Sequence, residues 1–370
     1  MSRTCLHSLH QRLGAVTVDF QGWEMPVRYS QIPSEHLQVR GSAGLFDLCH
    51  MGRLDFVGAA AERWVDRLIT ADVPKIPVGK ARYGFLCNQD GGVLDDLIVY
   101  RLEDRVFLVV NAGNRQRVVE WFEQHREDAD AELHDVSEAM AMVAIQGPRS
   151  TEIVDRVMED VVGSLADLPY YQITTARFAG QPARIATTGY TGEHGFEVFV
   201  STELAEPLWM ALQDVGGDAV QPIGLGARDT LRIEAGMPLY GHELSESINP
   251  YEAGLGPVVK LGKKTSFIGR DALLQIREQG AARKLVGLRV QSKRIARQGM
   301  KILQDGQPIG EVTSGIPSPT LGYPVAMGLI DSKISSGDGL EVDVRGTRVS
   351  VVPETMPFYS AVRKKAVKAL

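Results

Sequence analysis

Hydrophobic and polar positions follow two periodicities along roughly the first 280 residues. Apolar residues recur at helical spacing in 58–70, in 114–125 and after Pro148, which predicts amphipathic helices there. Runs rich in β-branched and aromatic residues predict strands at 93–100, 105–110, 141–146 and 196–200. Because helices and strands alternate irregularly, the pattern favours an α+β fold with largely antiparallel sheets over a regular βαβ array.

The pattern changes after a predicted helix over 269–280. From Arg283 onward, short apolar strands follow one another closely, and Asp305-Gly306 marks a tight hairpin turn. This spacing is typical of a small β-barrel or β-sandwich. We therefore predict a domain boundary near residue 280.

Composition and charge exclude several functional classes. The 370 residues include 40 Lys and Arg against 46 Asp and Glu, a formal charge of −6, which disfavours nucleic-acid binding. No apolar run approaches the roughly 20 residues that span a bilayer, and the N-terminus lacks the apolar core of a secretory signal. The three cysteines are widely spaced without a CxxC motif, so we expect a reduced cytoplasmic protein with neither a disulfide framework nor a cysteine-based zinc or iron–sulfur site.

Common catalytic signatures are missing from the chain. The segment 224–229 begins like a dinucleotide-binding loop, but it lacks the third glycine, and Pro222 interrupts the strand that should precede it. No phosphate-binding loop, HExxH or GxSxG motif occurs. Several enzyme classes are thus rejected, and none is identified by these motifs.

Two adjacent carboxylates interrupt the apolar strand predicted at 93–100. On a strand, Asp95 and Asp96 point to opposite faces. A buried carboxylate must be hydrogen-bonded or paired, because desolvation disfavours its charge. Either both side chains face solvent near the strand end, or one of them caps the preceding turn, or one of them has a functional role.

The segment 189–200 places Tyr190, Glu193 and Glu197 beside three glycines. Glycines let the backbone approach a flat ligand closely. The alternative is a tight hairpin turn from Gly192 to Gly195, with Glu197 on a solvent-exposed face.

Arg228 falls in the first turn of the helix predicted after residue 224. The helix dipole disfavours a cation there, so Arg228 requires a compensating anion. That anion is either a structural neighbour, Asp229 or Glu234, or a ligand or distant glutamate. The Ser-, Pro- and Gly-rich stretch 313–324 reads as a loop of the kind that often lines a site.

These segments together resemble the aminomethyltransferase, or T-protein, family of the glycine cleavage system. The resemblance runs nearly from end to end and keeps the family's order. Its segments are VDFQGWEMPVRY (18–29), VRGSAGLFDLCHMG (39–52), GGVLDDLIVY, LVVNAGN, IQGPRS (145–150), TGYTGEHGFE, GLGARDTLRIEAGMPLYG (224–241), FIGRDAL (267–273), KRIARQGMKIL (293–303) and TSGIPSPTLGY.

The resemblance implies a three-domain cloverleaf of two mixed α/β, ferredoxin-like domains and a C-terminal β-barrel. The first, folate-binding domain is expected to be discontinuous, over 1–50 and 140–275, with an α+β domain inserted at 51–139 and the barrel at 276–370. The implied reaction takes the aminomethyl group on the lipoyl arm of H-protein and transfers its methylene carbon to tetrahydrofolate, with release of ammonia. The resemblance implies no metal, and we expect a monomer when the protein is alone.

The resemblance also implies site residues. Glu197 and Arg228 match the family's pair that holds the pterin, whose amino and N3–H donors suit a carboxylate and whose carbonyl suits a cation. Tyr83 and Tyr190 match positions that line the same pocket, and Asn111 matches a polar folate contact.

One residue matches the family's catalytic aspartate. Asp96 is expected to stabilise the positive carbon that develops as ammonia leaves and to orient the attacking folate nitrogen, while Asp95 has a structural role. The resemblance also implies an arginine close behind the segment 357–359 that reaches the folate or partner region, and Arg363 is the folate-binding candidate there.

Two alternatives share the resemblance. One is a folate-dependent demethylase, or the folate domain of a sarcosine or dimethylglycine oxidoreductase, which differs chiefly in the carbon donor. The other is a non-catalytic folate-binding relative of the iron–sulfur-assembly type. That type carries a cysteine in a K-G-C-Y-x-G-Q-E segment, whereas this chain reads EAGMPLYGHELSE at 234–246, without a cysteine.

Overall fold

The structure is a computed structural model that describes residues 1–127, 129–334 and 339–361. The α-helices are α1 (His7–Arg12), α2 (Ile32–Gly41), α3 (Ala61–Leu68), α4 (Arg115–Gln124), α5 (Ser150–Val157), α6 (Ala205–Gly216), α7 (Leu225–Glu234) and α8 (Arg270–Gln279). Short 3-10 helices lie at Val73–Lys75, Ala112–Asn114, Thr202–Leu204, Gly217–Ala219 and Gly256–Val258. Within these ranges, no helix combines the length and the apolar character needed to cross a bilayer.

Nineteen strands accompany the helices within the described ranges. They are β1 (Val16–Phe20), β2 (Trp23–Arg28), β3 (Ala43–Asp47), β4 (Gly52–Val57), β5 (Lys80–Cys87), β6 (Val93–Arg101), β7 (Arg105–Val110), β8 (Glu132–Asp135), β9 (Met140–Gln146), β10 (Ile173–Phe178), β11 (Gln181–Ala186), β12 (Gly195–Ser201), β13 (Val220–Pro222), β14 (Arg283–Val290), β15 (Lys301–Gln304), β16 (Gln307–Pro317), β17 (Pro324–Asp331), β18 (Leu340–Val344) and β19 (Thr347–Glu354).

The elements predicted from periodicity are present in the structure. Helices α3, α4, α5 and α8 and strands β6, β7, β9 and β12 coincide with the predicted segments. The C-terminal strands close into a barrel, so of the two predicted alternatives the barrel is correct. The α+β fold class with largely antiparallel sheets is confirmed.

The chain divides into two compact units, of which the first comprises residues 1–84 and 97–228. Its six-stranded sheet has the order β10-β11-β12-β9-β3-β13, and its neighbouring strands are antiparallel except β3 and β13, which run parallel. One face packs into a core that includes Leu45, Ile145, Phe196, Val198 and Trp209. Alternate residues of these strands point into this core, as a period of two requires.

A second sheet of the order β5-β6-β7-β4-β8 is stabilised by aromatic packing. Trp64 of α3 and Phe122 of α4 are buried against Phe56 of β4, with ring centroids 4.6–6.1 Å apart. The Trp64 indole N–H donates to the Phe122 carbonyl at 3.2 Å. The two predicted amphipathic helices therefore cover this sheet with their apolar faces.

The second unit comprises residues 85–96 and residues from 229 onward, and it contains the barrel β14-β17-β16-β15-β18-β19. The buried guanidinium of Arg232 donates to Asp229 at 2.8 Å, to Glu243 at 2.8 Å and to the Ser314 hydroxyl at 2.7 Å. Glu234 accepts from the Ser318 hydroxyl. Residues 313–317 of the predicted loop belong to strand β16. Ser314 and Ser318 of this segment anchor the C-terminal half of α7.

A buried carboxylate joins the N-terminal segment to the six-stranded sheet of the first unit. Asp47, the last residue of β3, accepts hydrogen bonds on Oδ2 from the Thr4 hydroxyl at 2.6 Å and from His10 Nε2 at 2.8 Å. Its Oδ1 accepts from the Cys49 amide at 2.8 Å. Burial alone would raise the pKa of Asp47, but these bonds and the nearby His10 lower it to about 2.

We expect Asp47→Asn to lower the free energy of unfolding by about 2 kcal/mol at neutral pH, because the pKa shift corresponds to 1.36 kcal/mol per unit. A lowered pKa stabilises the fold above the ordinary aspartate range, and this contribution disappears as the pH falls toward 2. The difference between wild type and variant should therefore shrink on acidification. Denaturant titration from pH 7 to pH 3 measures it, with the exposed Asp167→Asn as control. An equal difference in the free energy of unfolding at all pH values would show that the charge of Asp47 does not stabilise the fold.

Candidate functional site

Glu197 lies near the middle of the six-stranded sheet. Its neighbours on β12, Phe196 and Val198, point into the core, so Glu197 projects from the other face. The residues paired with it on the flanking strands are Ala144 and Ala186, whose small side chains leave room around the carboxylate. Glu197 is only 7% exposed. The alternative that placed it on a solvent-exposed face is wrong.

Two hydroxyl groups hold the Glu197 carboxylate. Thr188 donates a hydrogen bond to Oε2, and the Tyr100 hydroxyl donates to the same oxygen at 3.5 Å. The two hydroxyls also lie 3.1 Å from each other. Burial raises the pKa of Glu197, and the bonds from Thr188 and Tyr100, together with the charge of Arg228, offset part of that rise.

An aromatic cluster surrounds these groups on the same face of the sheet. Phe199, two residues beyond Glu197, meets Phe107 edge-to-face at 5.3 Å and Tyr100 at 6.2 Å. All three rings are buried. The carboxylate therefore lies in apolar surroundings that strengthen any interaction it makes.

The glycines of the segment 189–200 serve the protein's own packing. A Cβ at Gly189 would lie 2.1 Å from Gln146 Oε1, and one at Gly195 would lie 2.5 Å from the Ile145 carbonyl. Gln146 in turn donates to the Thr188 carbonyl at 3.1 Å and accepts from the Thr191 hydroxyl at 3.0 Å. At these two positions the close approach that glycine permits is to Gln146 and its strand, and it fixes the loop that carries Thr188.

Arg228 lies in the first turn of α7, as predicted. Its guanidinium is 4.8 Å from the centroid of the Tyr190 ring, a cation–π contact. Desolvation lowers the pKa of Arg228, while Tyr190 and Glu197 raise it. The structure thus brings Tyr190, Glu197 and Arg228 into one electrostatic group within the first unit.

Asp229 and Glu234, the two structural partners considered for Arg228, accept hydrogen bonds from other residues. Asp229 accepts from Arg232, and Glu234 accepts from Ser318 and from the Thr320 amide at 3.1 Å. The distant glutamate of the functional alternative, Glu197, is the carboxylate that acts on Arg228.

The other acid of the segment 189–200 has a structural role. Glu193 pairs with the buried guanidinium of Arg40 at 3.1 Å, and Arg40 also donates to the Thr191 carbonyl at 2.7 Å. The Arg40–Glu193 pair holds the loop before β12 in place and is separate from the group formed by Tyr190, Glu197 and Arg228.

The remaining predicted residues lie on the following elements. Tyr83 is half-buried on β5, and Asn111 is half-buried where β7 ends. Asp96 is half-buried on β6, whereas its neighbour Asp95 is fully buried, so the alternative in which both face solvent is wrong. Arg363 lies outside the described residues.

The structure adds three residues that sequence reasoning missed, Tyr100, Thr188 and His50. Tyr100 ends the apolar run LIVY, and a tyrosine buried there needs a partner for its hydroxyl, which was the available signal. His50 is 2% exposed, and among the described residues its Nδ1 has no hydrogen-bond partner. Burial, helped by the charges of Arg228 and Arg53 and opposed by Asp47, lowers the pKa of His50 to about 4, so the imidazole is neutral at physiological pH.

Within residues 1–127, 129–334 and 339–361, no cluster of His, Cys, Asp and Glu has the composition of a metal site. The groups present are a buried carboxylate, a guanidinium, hydroxyls and aromatic rings. This set suits a planar, neutral ligand with several hydrogen-bond donors.

Comparison with known proteins relates the chain to one family. Residues 6–263 match the GCVT N-terminal domain, and residues 283–360 match the glycine cleavage T-protein C-terminal barrel domain. The chain is 46% identical over 363 residues to an aminomethyltransferase of Streptomyces avermitilis, covering 96% of this chain and 97% of that relative. It is 42% identical over 369 residues to one of Thermotoga neapolitana, covering 99% and 100%.

A solved structure is similar over nearly the same length. The crystal structure of glycine cleavage system aminomethyltransferase T from Bartonella henselae superimposes with a TM-score of 0.89. The two chains are 32% identical, and the match covers 97% of this chain and 98% of that one. The similarity therefore includes both the mixed α/β part and the barrel.

We expect Glu197→Gln to increase the free energy of unfolding of the unliganded protein at neutral pH. The raised pKa means that ionised Glu197 destabilises the fold above the ordinary glutamate range, and a neutral isostere removes that penalty. Below that range both side chains are neutral, and the difference should vanish. Denaturant titration at pH 7 and pH 4 measures it, with Glu278→Gln, on the exposed face of α8, as control. A destabilised variant at pH 7 would show that the charge is well compensated in the unliganded protein.

Proposed function

This chain belongs to the family of glycine cleavage T-proteins and is an aminomethyltransferase, and we propose that Glu197 and Arg228 hold the pterin of tetrahydrofolate while Asp96 acts on the transferred carbon. The observation that supports this most directly is the buried Glu197 carboxylate under the electrostatic influence of Arg228. A donor-rich ring that binds there satisfies a charge whose desolvation is otherwise only partly offset.

The pterin fits the hydrogen-bonding capacity that Glu197 has left. Both hydrogen bonds that the described residues make to this carboxylate go to Oε2, so Oε1 is available to the ligand's amino and N3–H donors. Arg228 supplies a cation for the ring carbonyl, and Tyr190 beneath the guanidinium supplies an aromatic face. Tyr83 and Asn111 are retained as further folate contacts by their match to the family, and Arg363 remains a prediction.

The reaction transfers the methylene carbon of an aminomethyl group to tetrahydrofolate. The carbon–nitrogen bond to the leaving ammonia breaks, the carbon carries positive charge as it breaks, and the folate nitrogens attack the carbon to give 5,10-methylenetetrahydrofolate. The donor sulfur on the lipoyl arm of H-protein leaves as the dihydrolipoyl thiol. Asp96 stabilises the positive carbon and orients the attacking nitrogen, and Asp95, which is fully buried, maintains the strand.

We also propose the three-domain division predicted above. The strands of each sheet fall within one proposed domain: β3 and β9–β13 in 1–50 with 140–275, β4–β8 in 51–139, and β14–β19 in 276–370. A monomeric state and a cytoplasmic location remain predictions from the sequence.

We expect Glu197→Ala and Arg228→Ala to weaken tetrahydrofolate binding roughly 10- to 100-fold, because each removes a charged hydrogen-bond partner in a desolvated site. Anaerobic equilibrium titration of the purified protein measures the affinity. Arg156→Ala, an exposed arginine on α5, is the control and should bind like wild type. Unchanged affinity in both site variants would count against the pterin assignment.

We expect Asp96→Asn to lower turnover by roughly 100- to 1,000-fold while folate binding is largely retained, because the lost charge acts mainly in the transition state. The assay incubates the protein with aminomethylated H-protein and tetrahydrofolate and measures methylenetetrahydrofolate and ammonia. Asp90→Asn, in the exposed turn before β6, is the matched control. Normal turnover in Asp96→Asn would remove this residue from the mechanism, and ammonia release without a folate product would require a different acceptor.

A further inference from the structure

Two thiols of the first unit face each other in the N-terminal region. Cys5 lies just before α1 and is exposed, whereas Cys49 follows β3 and is buried. Their sulfur atoms are 3.7 Å apart, in hydrogen-bond contact. Both are free thiols, as is the third cysteine, Cys87, which is buried on β5.

The distance between the two thiols is set by a rigid part of the fold. Asp47 binds the hydroxyl of Thr4, the neighbour of Cys5, and it also binds the backbone amide of Cys49. The Cys49 sulfur is further held between the amide and the carbonyl of Met142 on β9, each at 3.4 Å. One carboxylate thus fixes the backbone on both sides of the sulfur pair, and the neighbouring strand fixes Cys49.

The surroundings give the two sulfurs different chemistry. The hydrogen bond with Cys49 lowers the pKa of the exposed Cys5, while that same contact and burial raise the pKa of Cys49. The buried guanidinium of Arg53 donates to the Cys49 carbonyl at 3.0 Å and to the Met51 carbonyl at 2.6 Å, which places a cation close to the pair. A thiol that is exposed and close to a cation is the one that reacts with oxidants.

We propose that Cys5 and Cys49 form a reversible oxidation site that takes a small hydroperoxide as its oxidant. The Cys5 thiolate attacks the oxygen–oxygen bond, becomes a sulfenic acid and releases hydroxide, which takes up the proton that the thiol lost. The Cys49 sulfur then attacks the Cys5 sulfur, and its proton leaves with the sulfenic hydroxyl as water. The two thiols supply the two electrons that reduce the peroxide, and an external dithiol reverses the reaction.

The movement required for this bond is small and involves the exposed partner. A disulfide holds its sulfurs about 2.05 Å apart, so the pair must close by less than 2 Å. Cys5 lies on the surface and can make this movement, while Cys49 stays fixed by Met142. The bond closes a long loop between the N-terminal segment and the end of β3, which restricts the unfolded chain.

The test treats the reduced full-length protein with hydrogen peroxide, blocks the remaining thiols with N-ethylmaleimide and digests with trypsin without reduction. The expected product links peptide Thr4–Arg12 to peptide Gly41–Arg53 and is lighter than their sum by two hydrogen atoms. The peptide Tyr83–Arg101, which contains Cys87, should be fully alkylated, and dithiothreitol before blocking should remove the link.

Two variants separate this outcome from its alternatives. Cys5→Ser should abolish the link, and Cys87→Ser should retain it. The melting temperature should rise on oxidation in wild type and Cys87→Ser but not in Cys5→Ser. Because Cys5→Ser has the same methionines, it controls for the effect of methionine oxidation. Cys5 recovered only as sulfinic or sulfonic acid beside alkylated Cys49, or as a disulfide between two chains, would overturn the proposal.

Discussion

A buried carboxylate under the influence of a half-buried guanidinium is the constraint on which the site of the first unit depends. Glu197 lies in a sheet between alanines, where burial disfavours its charge, and two hydroxyls together with the Arg228 cation offset only part of that effect. Charges attract more strongly in such surroundings than in water. The burial that destabilises the unliganded protein therefore increases the carboxylate's attraction for a ring that presents two donors.

The way in which Arg228 is held supports this interpretation. Arg40 pairs directly with Glu193, and Arg232 pairs directly with Glu243, at 3.1 and 2.8 Å. A direct pair of that kind is already satisfied, and a ligand would have to break it. Arg228 instead lies over the Tyr190 ring, an arrangement that leaves guanidinium N–H groups for a new acceptor. The contrast separates arginines that maintain the fold from one suited to a ligand.

The sequence predicts individual helices and strands well, but it predicts less well which of their side chains meet in the folded protein. The spacing of Trp64 and Leu68 predicts a helix over 58–70, and α3 indeed occupies 61–68, because local periodicity determines which face is buried. The same reasoning could not decide whether Glu197 is buried. Tyr100, which donates a hydrogen bond to Glu197, is 97 residues away, and such a long-range contact leaves no periodic signal in the sequence. The resemblance to the family identified Glu197 and Arg228 but did not identify the hydroxyls that hold the carboxylate.

Asp47 shows how one buried charge can determine two properties of the chain. Its hydrogen bonds to Thr4 and His10 attach the N-terminal segment to β3, and its bond to the Cys49 amide orients the residue that faces Cys5. Three cysteines so far apart in sequence gave no sign of this pair, because the contact arises only when the segment docks. The stability of the N-terminal segment and the proximity of its thiols are therefore linked: protonation of Asp47 weakens the attachment and, with it, the geometry that allows the sulfurs to react.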